Sequence, residues 1–399
     1  MGKTHSFRVV CVVENAVSEQ FWQPVRQTLA SNYFFFFAIL GLTVPYMGVY
    51  LDLRGFNSEE IGALMAIIMG TRIIAPFLWA SFADATGRRA MVVKVGAGMA
   101  MLGFSGLFFA HDFWSVALVL AFYSFFWNAI LAQLEVLTLG SLGAKAHQYS
   151  KVRSFGSMGY LLVVIIGGWV FERWDAGLLP WIGFSLFVSL FITTLPLNAP
   201  IIRPNKDSSG SLKLTVTGAL FILFAMGIQA SHGPFYGFYV LYLQQLGIGE
   251  SIAGILVAFG VLVEIAIFAI APRLLGRYQL TSLMMACALF TALRWWLTAE
   301  MDSAAGQALA TSLHAISFGL SHSCAMQYIH KEYPSHFQGR AQALYASLTF
   351  GIGGASGVYV SGHLWKLDHN YIWYLGVALA LISVLAVLGI QWRNRLQRN

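Results

Sequence analysis

The chain has 399 residues, of which 58% are hydrophobic and only 10% charged, with a mean hydropathy of +0.68. Soluble proteins carry about 25% charged residues, so this composition excludes a soluble globular protein and fits a multi-span integral membrane protein. A formal net charge of +7 would suit nucleic acid, but the placement of the cations along the chain gives it another meaning.

Residues 1–28 form a polar N-terminal segment. Glu14, Glu19 and Arg26 interrupt it too often for the apolar run of a signal peptide, and Val17 stands as an alternative translation start. Twelve apolar stretches follow, each near the roughly 20 residues that cross a bilayer as a helix. They run over 29–52, 59–81, 91–110, 113–138, 153–172, 178–197, 214–243, 251–271, 280–299, 303–329, 340–364 and 371–391. Their length and the absence of alternating strand patterns exclude a transmembrane barrel. The break at 198–213, rich in Pro, Asn, Ser and Gly, reads as a linker. It divides a six-helix bundle over 29–197 from a second over 214–392, and 393–399 is a polar tail. The expected fold is therefore an all-α membrane protein with twelve transmembrane helices in two six-helix pseudo-repeats.

Of the 24 lysines and arginines, only Arg54, Arg173 and Lys366 fall on the side away from the N-terminus, and Arg72 and Arg294 fall within spans. All the others lie on the N-terminal side, which places both termini in the cytoplasm by the positive-inside rule. The charge is a topology signal and implies no nucleic-acid partner. The three cysteines, Cys11, Cys287 and Cys324, are scattered in neither a disulfide framework nor a metal-binding spacing.

Several elements along the chain carry chemistry. Pro45-Tyr-Met-Gly48 in the first span is echoed by Pro234-Phe-Tyr-Gly237 in the seventh, and Gly87 after the second span by Gly276 after the eighth, both at an offset of 189 residues. Repeated motifs at one offset point to duplicated halves, the arrangement of many secondary transporters. Glu135 closes the fourth span and Arg153 opens the fifth, which puts an acid and an arginine at the same end of two antiparallel helices. They are either a charge pair lining a polar cavity or interfacial groups snorkelling to lipid headgroups. Glu264, Arg294, His314 and His322 lie within later spans, and His232 stands beside Gly233-Pro234. Glu264 and Arg294 are either a static buried ion pair or a proton-coupling pair, and each histidine taken alone reads more readily as a satisfied core residue. Gly351-Ile-Gly353-Gly354-Ala-Ser-Gly357 has the small-residue spacing that lets helices approach closely.

Ala80-Ser-Phe-Ala-Asp84-Ala-Thr-Gly87-Arg88-Arg89 resembles the loop signature of the major facilitator superfamily, with Ala80 in place of the first glycine. The resemblance implies a cytoplasmic gate motif at Asp84, Gly87, Arg88 and Arg89. Within that superfamily, Tyr149-Ser-Lys151-Val-Arg153-Ser-Phe155-Gly156-Ser-Met-Gly159 resembles the lactose permease group, most closely its 3-phenylpropionate permease-like branch. By that resemblance Glu135 and Arg153 bind substrate, and Tyr160 stands where the group has a tryptophan that stacks on a sugar. Glu264, Arg294 and His314 fall on the elements that couple protons there, while Ser317 replaces a further acid. Glu264 becomes the expected proton carrier, with His314, His322 and His232 as modulators. Arg72, Arg153 and Arg294 outnumber Glu135 and Glu264, a balance that suits an anion.

The expected function is a secondary active transporter, a proton symporter for a small aromatic carboxylate such as 3-phenylpropionate, acting by alternating access. The alternatives are a sugar or nucleoside proton symporter and a drug or metabolite proton antiporter. No Walker motif or nucleophile constellation is visible, so no enzyme activity and no cofactor is expected. The proton gradient supplies the energy, the bilayer and a small molecule are the partners, a functional monomer is expected, and the location is a bacterial inner membrane.

Overall fold

A computed structural model describes residues 4–142, 148–198 and 215–396, with side chains from Val25 onward except at positions 335 and 336. All regular structure among these residues is helical. The elements are α1 (Thr4–Leu53), α2 (Ser58–Thr86), α3 (Arg89–Phe108), α4 (Phe113–Leu142), α5 (Tyr149–Arg173), α6 (Ala176–Thr194), α7 (Val216–Gln245), α8 (Glu250–Arg277), α9 (Leu280–Glu300), α10 (304–332), α11 (Phe337–Trp365) and α12 (Tyr371–Leu396). Eleven of them are long and apolar enough to cross a membrane, with α10 outside that count. The expected span 303–329 is helical, but a turn at Leu313 and a π-helical stretch over Ala315–Leu320 divide it, and His314, Ser317, Ser321 and His322 dilute its apolar run. Of the expected linker 198–213, all but Asn198 lies outside the described residues. At the N-terminus α1 runs from Thr4 to Leu53 with no break at residue 29.

Local chemistry fixes where helices begin and end. Asn57 caps α2 reciprocally with Glu60, and Asp112 caps α4 with Ser115. Gly87 ends α2 in the left-handed region at φ 70°, where a side chain would be strained. Two helices bend at polar breaks. The α4 helix is interrupted at Asn128, whose Nδ2 donates to Thr71 Oγ1 on α2 at 2.9 Å. The α7 helix breaks at His232, where Pro234 removes a backbone donor.

Two apolar cores hold the bundle together. One joins α1–α6 and reaches into α7, α8, α9, α11 and α12, and the other lies among α7–α12. The outer surface is apolar as well: Phe77 is 67% exposed and Leu385 also 67%, which fits lipid and not water as the solvent. Exposed Trp114, Trp174 and Trp181 cluster at the far end, opposite the chain termini, as membrane-interface tryptophans do.

The halves meet where α1 packs on α7, α2 on α11 and α5 on α8. Glycines make these contacts possible. A Cβ on Gly62 would stand 2.9 Å from Gly362 Cα, one on Gly48 would strike the Gly237 carbonyl, and one on Gly168 the Glu250 carbonyl. Polar bonds reinforce the far end: the Ser251 amide donates to Glu172 Oε2 at 2.6 Å, and Lys366 Nζ to Glu59 Oε1 at 3.3 Å.

Candidate functional site

The kink at His232 turns α7 so that its polar residues face α9 and α10. His232 Nδ1 donates to the Ile228 carbonyl at 2.8 Å, the acceptor that the break leaves available. Its Nε2 therefore carries no proton and accepts from Arg294 Nη1 at 3.1 Å. The same guanidinium nitrogen donates to His314 Nδ1 at 2.8 Å and Ser317 Oγ at 3.0 Å. Arginine has no acceptor, so His314 Nδ1 is unprotonated and its proton sits on Nε2. That nitrogen faces Glu264 Oε2 at 3.3 Å. Geometry thus fixes both tautomers: His232 and His314 are neutral imidazoles, one ending the network on α7 and the other bridging Arg294 to Glu264.

Glu264 and Arg294 do not touch, because His314 stands between them. The sequence left a static ion pair between them as one of two readings; a histidine stands in its place, and the physical reason is packing. Arg294 lies against two aromatic rings, 4.2 Å from the Trp295 ring centroid and 4.9 Å from that of Phe235, which holds the guanidinium on the histidine side. His314 itself stacks on Phe318 at 5.1 Å. His322 lies further along α10, with Nδ1 3.2 Å from the Tyr345 hydroxyl. Beside it a narrow pocket is lined by Phe224, Gln229, Phe318, His322, Tyr345 and Phe350.

The N-terminal half supplies the opposite wall. Arg153 forms no ion pair with Glu135; its guanidinium sits 3.9 Å from the Phe37 ring centroid and 5.5 Å from that of Tyr33. Both acids, Glu135 on its own half and Glu264 across the cavity, lie within electrostatic reach of it. The Tyr149 phenol is placed beside Glu135 and Tyr33. Tyr160, partly buried, lies within electrostatic reach of Glu264 and Tyr236, and it stands seven residues from Arg153 along α5. At the other end of α2, Arg89 bonds Asp84 and reaches Gln133 Oε1 on α4 at 2.6 Å, while Arg88 is exposed. These bonds of Arg89 tie α2, α3 and α4 within one half.

Gln229, absent from the sequence reading, belongs to the site together with Tyr236 of the Pro234-Phe-Tyr-Gly237 motif. Gln229 Nε2 donates to the Tyr236 hydroxyl at 3.0 Å, and Tyr236 lies within reach of Arg72, Glu264 and Arg294 together. The signal available in the sequence was their spacing: seven residues apart on one face of α7, around the His232-Gly233-Pro234 break. Among the described residues there is no group of His, Cys, Asp and Glu able to hold a metal ion.

Arg294→Met is expected to destabilise the protein. It leaves His232 Nε2, His314 Nδ1 and Ser317 Oγ without their donor, and each orphaned buried polar group costs about 1–3 kcal/mol. Thermal unfolding in detergent reads this directly; an unchanged melting temperature would mean that the network is not needed for the fold.

Residues 27–375 match the model of the MFS_1 like family. The chain is 25% identical over 372 residues to a probable 3-phenylpropionic acid transporter of Escherichia coli (strain K12), covering 90% of this chain and 95% of that one. It is also 25% identical over 375 residues to a maltose permease of Geobacillus stearothermophilus, with 90% and 91% covered. Among solved structures, a mutant of the nucleoside transporter NupG superposes with a TM-score of 0.82 at 17% identity, over 92% of this chain and 99% of that one.

Proposed function

The chain belongs to the MFS_1 like family of multi-pass membrane transporters, and from that premise we propose that it is a proton symporter importing a small aromatic carboxylate such as 3-phenylpropionate. The observation that carries the reading is the Arg294–His314–Glu264 relay. A carboxylate locked in a buried ion pair leaves its partner's charge uncompensated when it takes a proton, and that is costly. Glu264 instead meets a neutral imidazole, so it can gain or lose a proton without breaking an ion pair. When Glu264 is protonated, Arg294 keeps a charge that nothing in its first contacts cancels, and an anionic substrate restores neutrality. Proton and anion then bind together, one of each.

Arg72, Arg153 and Arg294 against Glu135 and Glu264 leave one spare positive charge around the cavity, as a monoanion requires. The aromatic faces of Phe235, Tyr236 and Phe318 along α7 and α10 suit an aromatic tail. The far end is closed in this state by Glu172–Ser251 and Glu59–Lys366. With twelve spans, α10 included, and cytoplasmic termini, that is an inward-facing conformation in a bacterial inner membrane. The proton gradient is the energy source, the two six-helix halves rock about the site, and a monomer suffices because the site lies within one chain.

The second reading is a sugar or nucleoside proton symporter, or a metabolite antiporter. The Gln229 carboxamide beside Tyr236 favours it, since it offers the neutral hydrogen bonding that substrate hydroxyls need. Uptake of labelled 3-phenylpropionate into proteoliposomes separates the readings. Accumulation under an inward proton gradient that a protonophore collapses is expected; no uptake, with gradient-driven uptake of a sugar or nucleoside, would select the second.

A further inference from the structure

We propose that Arg72, Tyr123 and Tyr236 form a dedicated oxyanion site, separate from the proton relay, that anchors the substrate's carboxylate. This rests on the reading of the central cavity as an organic-anion site and assigns that anion one place in it.

The placement begins with the tie between α2 and α4. Thr71 donates to Ser124 Oγ at 3.0 Å and accepts from Asn128 Nδ2 at 2.9 Å. This fixes the register in which Arg72, next to Thr71, lies beside Tyr123, next to Ser124. Tyr236 approaches the same guanidinium from the opposite half.

Arg72, Tyr123 and Tyr236 each bring a proton to donate at this junction. Arg72 makes no hydrogen bond or ion pair among the described residues. It carries five N–H donors and no acceptor. The Tyr123 hydroxyl is buried, 1% exposed for the residue, and has no hydrogen-bond partner. The Tyr236 oxygen already accepts from Gln229, so its own proton is free to be donated. Buried polar groups are nearly always satisfied. An arginine fork and two hydroxyl protons gathered at one junction suit an external acceptor with several lone pairs, and a carboxylate accepts all of them at once. Arg153 and Arg294 fit this role less well. The first is held over Phe37, and the second already donates to two histidines and a serine.

The position also links binding to transport. Tyr236 is shared between Arg72 and the Glu264 neighbourhood, so an anion bound there repels the Glu264 carboxylate, and anion and proton support one another's arrival. Gln229, which bonds Tyr236, also lines the aromatic pocket beside His322. A carboxylate at Arg72 can therefore direct an attached ring toward Phe318 and Phe350. Because the site draws on α2 and α4 of one half and α7 of the other, its occupant bridges the two bodies.

Equilibrium binding to the full chain in nanodiscs tests this, with 3-phenylpropionate, 3-phenylpropanesulfonate and neutral 3-phenylpropionamide as probes. The wild type is expected to bind both anions at least about tenfold more tightly than the amide. Arg72→Gln is expected to lose about 10- to 100-fold for the anions and little for the amide, and Arg72→Lys to recover part of the loss. Tyr123→Phe is expected to weaken the anions by about 3- to 10-fold. A folded Arg72→Gln protein that binds the acid like the wild type overturns the site, as does a wild type that binds the amide as well as the acid or binds neither anion. The last two comparisons need no variant, so a misfolded mutant does not shield the proposal. Arg72-dependent anion binding without proton-driven uptake would leave this site standing and remove only the symport reading.

Discussion

Glu264→Gln is expected to abolish proton-driven accumulation of 3-phenylpropionate in proteoliposomes while sparing exchange of internal for external substrate. The glutamine keeps an oxygen to accept from His314 Nε2, 3.3 Å from the carboxylate in the wild type, so the relay's geometry survives. What it removes is the site where a proton can be held. One proton per anion allows about a tenfold accumulation for each pH unit imposed, since a pH unit is worth about 1.4 kcal/mol. The variant's accumulation ratio should fall to about one at any gradient. Exchange needs no net proton movement and should continue, because a neutral side chain mimics the protonated state in which the loaded carrier reorients. Loss of accumulation and exchange together would make Glu264 a binding or structural residue. Full accumulation would move the proton carrier elsewhere, with Glu135 and His322 the next groups to test.

The other large effect is expected where the halves touch at the far end. Gly62→Leu on α2 would drive a side chain into the Gly362 backbone, 2.9 Å from a Cβ, and Gly168→Leu on α5 into the backbone of α8 at Glu250. Overpacking of this kind costs about 1–3 kcal/mol. That cost falls on the closed far end alone, because the contact exists only when the halves meet. Since 1.4 kcal/mol is a factor of ten in an equilibrium, the ratio of closed to open far ends should drop by about 5- to 150-fold. Uptake should fall with it, and spin labels placed at positions 59 and 366 should report a longer distance. Labels that keep the wild-type distance in a variant with normal uptake would show that the glycine contacts are ordinary packing and not part of alternating access.

Both expectations depend on features the sequence announced to different degrees. The small-residue spacing over 351–357 was visible on α11 while Gly62 and Gly362 of the far-end contact were not singled out, and Glu264 stood out as an acid in an apolar run, FGVLVEIAIF. Ionisable groups in such runs are conspicuous because they are expensive there. Arg72 was equally conspicuous, but its importance was not. Its role follows from what it fails to touch, and the lack of a partner is a property of space and not of a chain segment.

The same division holds for the molecule as a whole. Composition and the length of apolar runs determined by themselves that the chain is helical and crosses the membrane many times, because hydropathy acts on each segment independently. The signature Asp84-Ala-Thr-Gly87-Arg88-Arg89 pointed to the family in the same local way. Capping at Asn57 and Asp112, and the left-handed Gly87, were also local matters. Only the tertiary structure decided the pairings. It put His314 between Glu264 and Arg294, drew Arg153 onto the Phe37 ring and away from a bond with Glu135, and brought Tyr236 to Arg72. Each of these depends on the rotation and bend of a helix against its neighbours, above all the break at His232 that turns α7. A shift of one residue in that break would turn the face of α7 by about 100°, an effect that no property of a single span reveals.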